Sequence, residues 1–159
     1  METSPFIVVS SREELDSESR LIVDQAEQVS RGAYAPYSRF QVGSAILLED
    51  GTIVSGSNQE NAAHPAGMCA ERVALYTAAS HHPQAFIRKI AVVARHWNGH
   101  QLVPVTPCGQ CRQVLLEFEE RQQRPIEVIM QTHDYQWVKA PSSASLLPFA
   151  FTSAALERR

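Results

Sequence analysis

Apolar positions along residues 16–33, "DSESRLIVDQAEQVSRGA", recur with a helical period. Leu21, Ile22, Gln25, Ala26 and Val29 fall at that spacing, and Gly32 supplies a stop. The turn-rich segment "YAPYSRF" follows, centred on Pro36, and the period then changes. In "FQVGSAILLEDGTIVSGSNQE", Asp50-Gly51 is a strong hairpin signal between two β-like runs, Phe40 to Leu48 and Thr52 to Ser57. "CAERVALYTAASHH" returns to helical spacing, with Ala70, Val73, Ala74, Thr77 and Ala78 forming one small-residue stripe. "IRKIAVVAR" reads as a buried strand, being nearly all apolar from Ile90 to Ala94. A further helix puts Cys111, Val114, Leu115 and Phe118 on one face, and "PIEVIMQT" and "YQWVKA" read as two more strands. Residues 1–15 read as an extended arm, and "LLPFAF" sits in a C-terminal tail. The order α-β-β-α-β-α-β-β predicts a mixed sheet with helices on both faces.

Length and composition narrow the class. At 159 residues, with 44 % apolar and 19 % charged positions, the chain fits one globular domain spanning 1–159 that needs no metal or disulfide to hold its core. A net charge of −3 argues against a nucleic acid polymer as partner. No segment approaches the roughly 20 apolar residues that span a bilayer, so no membrane partner is expected. "FIVV" at Phe6 to Val9 is too short for a signal-peptide core and lacks a basic flank. The chain therefore reads as cytoplasmic, where thiols stay reduced, and three cysteines are an odd number for a disulfide framework.

Those cysteines fall at helix starts. In "TPCGQCRQVLLEFEE", Cys108 and Cys111 are three apart and share a helix face, directly after Pro107, which suits a first helical position. The positive end of a helix dipole favours thiolate there. Cys69 heads the other predicted helix. If the two helix starts meet, three thiolates converge, which is the ligand count of a catalytic zinc site that leaves one position for water. Buried free cysteines and a redox Cys-x-x-Cys pair are the alternatives. Glu71 stands two residues beyond Cys69, faces elsewhere on the helix, and is within range of a water at such a centre; a solvated surface glutamate is the bland reading.

Cys69-Ala70-Glu71 followed by Pro107-Cys108-Gly109-Gln110-Cys111 is similar to the signature of zinc deaminases. With "YAPYSRFQVGSA" and "SNQENA" also matching, the chain from about Ala33 to Phe151 resembles the small homotetrameric cytidine deaminases. The resemblance implies a three-layer α/β/α fold with a five-stranded mixed sheet. It implies hydrolytic deamination of cytidine and 2′-deoxycytidine in pyrimidine salvage, with about one Zn²⁺ per chain held by Cys69, Cys108 and Cys111. Glu71 takes the catalytic role, and Arg72 supports the zinc thiolates. Asn58 and Glu60 would bond the ribose hydroxyls, and Phe40 would contact the pyrimidine. Ala70, Asn61, Ala62 and His64 would complete the substrate contacts; the family often carries tyrosine where this chain has His64. Phe151 would reach a neighbouring subunit's site in a homotetramer with shared active sites. Two other readings compete. A blasticidin-S-type aminopyrimidine deaminase shares the zinc core but not the need for a ribose-binding pair. A structural zinc module would close the metal with a fourth protein ligand such as His64.

Overall fold

The computed structural model describes residues 5–157. Residues 1–4 of the expected N-terminal arm lie outside the described residues. Six strands form one sheet: β1 (Ile7–Val9), β2 (Phe40–Leu48), β3 (Ile53–Ser57), β4 (Ile87–His96), β5 (Glu127–Gln131) and β6 (Trp137–Ala140). Their order is β1-β6-β5-β4-β2-β3. Only β4 and β5 run parallel; every other neighbouring pair is antiparallel. The α-helices among the described residues are α1 (Ser17–Ser30), α2 (Ala70–His81) and α3 (Gly109–Gln122).

The expected five-stranded sheet is corrected to six. The apolar run near the start is not a free arm: Ile7 to Val9 pair with Lys139 to Trp137 and extend the sheet at its edge. Three residues are too few to show a period, and the hydrogen bonds that make them a strand come from a segment some 130 positions later. The other elements fall where the periodicity puts them, with ends moved by one to a few residues.

Alternation along β2 and β4 divides the core into two layers. Ala45 and Leu47 on β2, with Ala91 and Val93 on β4, pack against Ile22, Val23 and Ala26 of α1. Ile46, Leu48, Ile90 and Val92 point the other way, against Ala74, Leu75 and Ala78 of α2 and Leu115 and Phe118 of α3. The helices approach the sheet closely at two glycines. A Cβ on Gly43 would come within 1.9 Å of the Ala26 carbonyl oxygen, and one on Gly56 within 2.7 Å of the Ala74 amide nitrogen. The second contact seats α2, and with it the Cys69 end of that helix, directly on β3.

Asp16 ties the α1 layer to the sheet. It is the N-cap of α1, accepting from the Ser19 amide at 2.9 Å, and it also receives Lys89 at 3.0 Å and Lys139 at 2.6 Å. Partial burial opposes its charge, but the Lys139 ammonium, the Ser19 amide and hydroxyl, and Lys89 outweigh that and hold the carboxyl well below the usual carboxylate range. A depressed folded-state pKa contributes stability above the unfolded value, here 3.8, and loses it as the pH falls below that value. Asn caps as well as Asp but carries no charge. Asp16→Asn should therefore lose roughly 0.5–1 kcal/mol at neutral pH, for two partly exposed ion pairs. Urea unfolding at a series of pH values should show this deficit shrinking in acid; a deficit independent of pH would contradict the ion-pair role.

Candidate metal centre and active site

Two helix starts converge beside the sheet. Cys69 is the N-cap of α2 and Cys108 the N-cap of α3, and neither side chain makes a capping hydrogen bond. Cys111 lies in the first turn of α3 and is fully buried. The arrangement follows from local sequence. Pro107 stands one residue outside α3, before the Cys108 N-cap, and not at the first helical position the sequence suggested. Arg112 turns back to donate from Nε to the Pro107 carbonyl oxygen at 2.8 Å, which fixes the loop entering α3. On the other side, Gln59 and Met68 exchange backbone hydrogen bonds of 2.9 and 2.8 Å, holding the segment that delivers Cys69.

The three Sγ atoms lie within 4.8 Å of one another, and those of Cys69 and Cys108 are 3.8 Å apart. Tetrahedral zinc with Zn–S bonds of about 2.3 Å separates its sulfurs by about 3.8 Å, so the donor set fits this ion in type and spacing. The Cys69 thiol is pulled down to about 5, first by the neighbouring Cys111 thiol and further by Arg72 and Cys108, against the effect of burial. The Cys111 thiol is pushed up by Cys69 beside it, by burial and by Glu71. Thiols this close cannot all ionise without a cation among them; a divalent ion provides one. Arg72 donates to Cys69 Sγ at 3.7 Å, adding a positive charge beside the sulfurs. His64 lines the adjacent cavity but is not in the sulfur cluster.

Glu71 stands two residues beyond Cys69, in the first turn of α2, and is only 4 % exposed. Burial pushes its carboxyl up to about 7, and the nearby Cys69 charge adds to the rise. A bound cation acts in the opposite sense on the same group. Glu71 and Cys69 face a cavity of about 810 Å³, a size suited to a small organic ligand.

The cavity brings together most of the residues predicted to meet substrate. Asn58, Glu60, Asn61, Ala62, His64, Ala70, Glu71, Arg72, Cys69 and Cys108 all line it. Phe40 does not: its ring packs edge-on against His96 with centroids 5.5 Å apart. Phe151 also stands outside, 62 % exposed, with its carbonyl accepting from Gln113 Nε2 at 2.9 Å. Tyr37, Ser38, Met68, Val105, Thr106 and Gln110 are lining residues that sequence reasoning did not single out. For Tyr37 and Ser38 the signal was present in "YAPYSRF", a turn adjoining a strand. The others are generic residue types whose place depends on chain segments far apart in sequence.

One wall of the cavity is held rigid by its own polar groups. The Glu60 carboxylate accepts from the Tyr37 amide at 2.8 Å, the Ser38 amide at 3.2 Å and the Ser38 hydroxyl. The Ser38 hydroxyl, followed by these amides, holds Glu60 below its usual range, and it stays an anionic acceptor. Ser38 Oγ also accepts from the Phe40 amide at 3.1 Å, across Arg39, whose left-handed φ of 54° turns the chain into β2. Asn58 Oδ1 accepts from Val42 N at 2.8 Å and its Nδ2 donates to the Phe40 carbonyl at 3.0 Å. One N–H and one lone pair of that amide remain for a ligand.

Residues 16–124 match the family model described as "Cytidine and deoxycytidylate deaminase zinc-binding region". The chain belongs to this family. A cytidine deaminase from Halalkalibacterium halodurans is 39 % identical over 135 residues, 84 % of this chain and 94 % of that protein. Among solved structures, cytidine deaminase from Burkholderia pseudomallei is similar at 36 % identity and a TM-score of 0.70, covering 82 % of this chain and 97 % of that one. The enzyme from Mycobacterium tuberculosis is similar at 32 % identity and a TM-score of 0.67, covering 86 % and 99 %. Membership, together with three sulfurs at zinc spacing, makes this a zinc-binding deaminase domain.

Purified protein should carry about one zinc per chain by elemental analysis, and Cys108→Ala should lose most of it while keeping the fold, because Cys108 is exposed and contributes little to the core. Full zinc content after replacement of all three cysteines would remove the site.

Proposed function

We propose that the chain is a hydrolase that converts cytidine and 2′-deoxycytidine, with water, to uridine and 2′-deoxyuridine, releasing ammonia. The observation that carries this reading is Glu71. It is a carboxyl only 4 % exposed, two residues beyond Cys69, opening onto a nucleoside-sized cavity beside the sulfurs. A carboxyl held there can take a proton from a water and pass it on.

Zinc, when bound by Cys69, Cys108 and Cys111, supplies a Lewis acid that makes a water molecule acidic near neutral pH. Glu71 takes the proton of the attacking water and delivers it to N3 of the pyrimidine, which raises the electrophilicity of C4. The same carboxyl then helps to protonate the exocyclic amine, which leaves as ammonia. The α2 N-terminus and Arg72 offset the negative charge of the thiolates. Glu60, already anionic and held by Tyr37 and Ser38, accepts from a ribose hydroxyl, and Asn58 offers its remaining N–H and lone pair to the sugar. The Ala70 backbone meets the base, and Asn61, Ala62 and His64 complete the wall near the ribose. Phe151 serves a neighbouring copy in a homotetramer. Exposure of Phe149 at 99 %, Phe151 at 62 % and Leu156 at 71 % supports that assembly, because a covered apolar tail is favoured over a solvated one. A single domain acting in the cytoplasm, in pyrimidine salvage, fits reduced cysteines and a free nucleoside substrate.

Ammonia release from cytidine, deoxycytidine and blasticidin S, assayed side by side, tests the reading. Both nucleosides should turn over well and blasticidin S poorly. Glu71→Gln should keep zinc and lose turnover by more than about 10²–10⁴-fold, since an amide cannot carry the proton. Near-normal deamination by that variant, or a clear preference for blasticidin S, would overturn the assignment.

A further inference from the structure

We infer that a second ligand site lies on the α1 face of the sheet, away from the sulfur cluster, and that it binds a nucleotide through its phosphate and its base. A surface cavity of about 620 Å³ opens there, lined by Arg31, Gln41, Arg95, Trp97, Asn98 and His100. It lies between the C-terminal end of α1 and the turn that follows β4. That turn is built rather than loose: Trp97 N donates to the Arg39 carbonyl at 2.9 Å and Gly99 N to the His96 carbonyl at 2.8 Å. Val103 N returns to the Ala94 carbonyl at 2.9 Å, closing the far end.

Arg95 is the anchor. It is 2 % exposed, an unusual place for a guanidinium. Its Nε donates to Ser30 Oγ at 3.2 Å and its Nη2 to Glu27 at 2.9 Å, so the edge carrying those two atoms is committed to α1. Nη1, on the other edge, is buried and has no hydrogen-bond partner. An orphaned donor on a buried cation is costly, and an anion is the ligand that satisfies it best.

Local charge points the same way. Arg95 and Arg12 share Glu27, and Arg12 also meets Asp24 at 3.1 Å. Arg31 adds a third guanidinium and has no salt bridge among the described residues. Glu27 and Asp24 thus balance Arg95 and Arg12, and the positive surplus at the cavity is that of Arg31. Guanidinium forks match phosphate oxygens in charge and geometry. The other wall is the Trp97 indole, 55 % exposed, with the side-chain amides of Gln41 and Asn98 nearby. An open indole beside a cationic pair suits a flat, heteroaromatic base carried by a phosphate, rather than a bare inorganic ion. The site does not depend on the deaminase reading, because it shares no residue with the cavity that Glu71 faces.

The chain has two tryptophans, and Trp137 is only 4 % exposed, so ligand quenching of intrinsic fluorescence reports on Trp97. Uridine 5′-monophosphate is titrated into the zinc-loaded protein at low ionic strength, with excess uridine present to fill the other cavity. Quenching should saturate, inorganic phosphate should compete with it, and Trp97→Phe should abolish the signal. Arg31→Ala, a surface change that should leave thermal unfolding unaltered, should weaken binding about tenfold, the equivalent of one charge-assisted hydrogen bond. Absence of saturable quenching, or an unchanged dissociation constant in Arg31→Ala, would overturn the proposal.

Discussion

Three cysteine sulfurs must reach one point, and the rest of the molecule is arranged to bring them there. Each thiolate repels the others, so the cluster is stable only where positive charge is concentrated. The starts of α2 and α3 provide part of it, Arg72 beside Cys69 Sγ at 3.7 Å provides more, and a divalent ion completes it. The helix starts have to be held against the sheet for this to work. Gly56 lets α2 sit on β3, and Leu115 and Phe118 anchor α3 in the same layer of the core. Arg112 locks the chain at Pro107 just before the second sulfur. Glu71 gains its buried position from the same geometry, since the first turn of α2 is what places it beneath the sulfurs.

The Asn58–Glu60 wall of the cavity follows a different physical logic. There the groups are only partly buried and are ordered by hydrogen bonds. Glu60 is held by two amides and a hydroxyl from a turn 22 and 23 residues earlier, and Asn58 spends half its amide on the β2 backbone. Pre-ordering these acceptors lowers the entropy lost when a ligand docks. It also ties this wall to the pairing of β2, so Asn58 has a structural duty beside the binding role proposed for it.

Sequence pattern exposed the chemistry more fully than the architecture around it. Cys108 and Cys111 were legible as a pair because ligand spacing on a helix start is a local property, readable within four residues, and Cys69 at the other helix start completed the count. The helices and the β2–β3 hairpin were legible for the same reason, through period and the Asp50-Gly51 turn. β1 was not, because three residues carry no period and their partner strand is remote. Ser38 was not singled out either, since its bond to Glu60 closes a long loop. Arg95 lies in a run that reads simply as a buried strand; its guanidinium acquires meaning only from Glu27, Ser30 and the turn at Trp97.

A metal held by three sulfurs with one open position is catalytic in character, whereas four protein ligands would make it a closed structural centre. X-ray absorption at the zinc edge of the purified, substrate-free protein distinguishes these directly. Three sulfur neighbours at about 2.3 Å and one lighter oxygen scatterer are predicted. A fourth protein ligand, seen as the multiple scattering of an imidazole such as that of His64, would contradict the open site on which the deaminase chemistry rests.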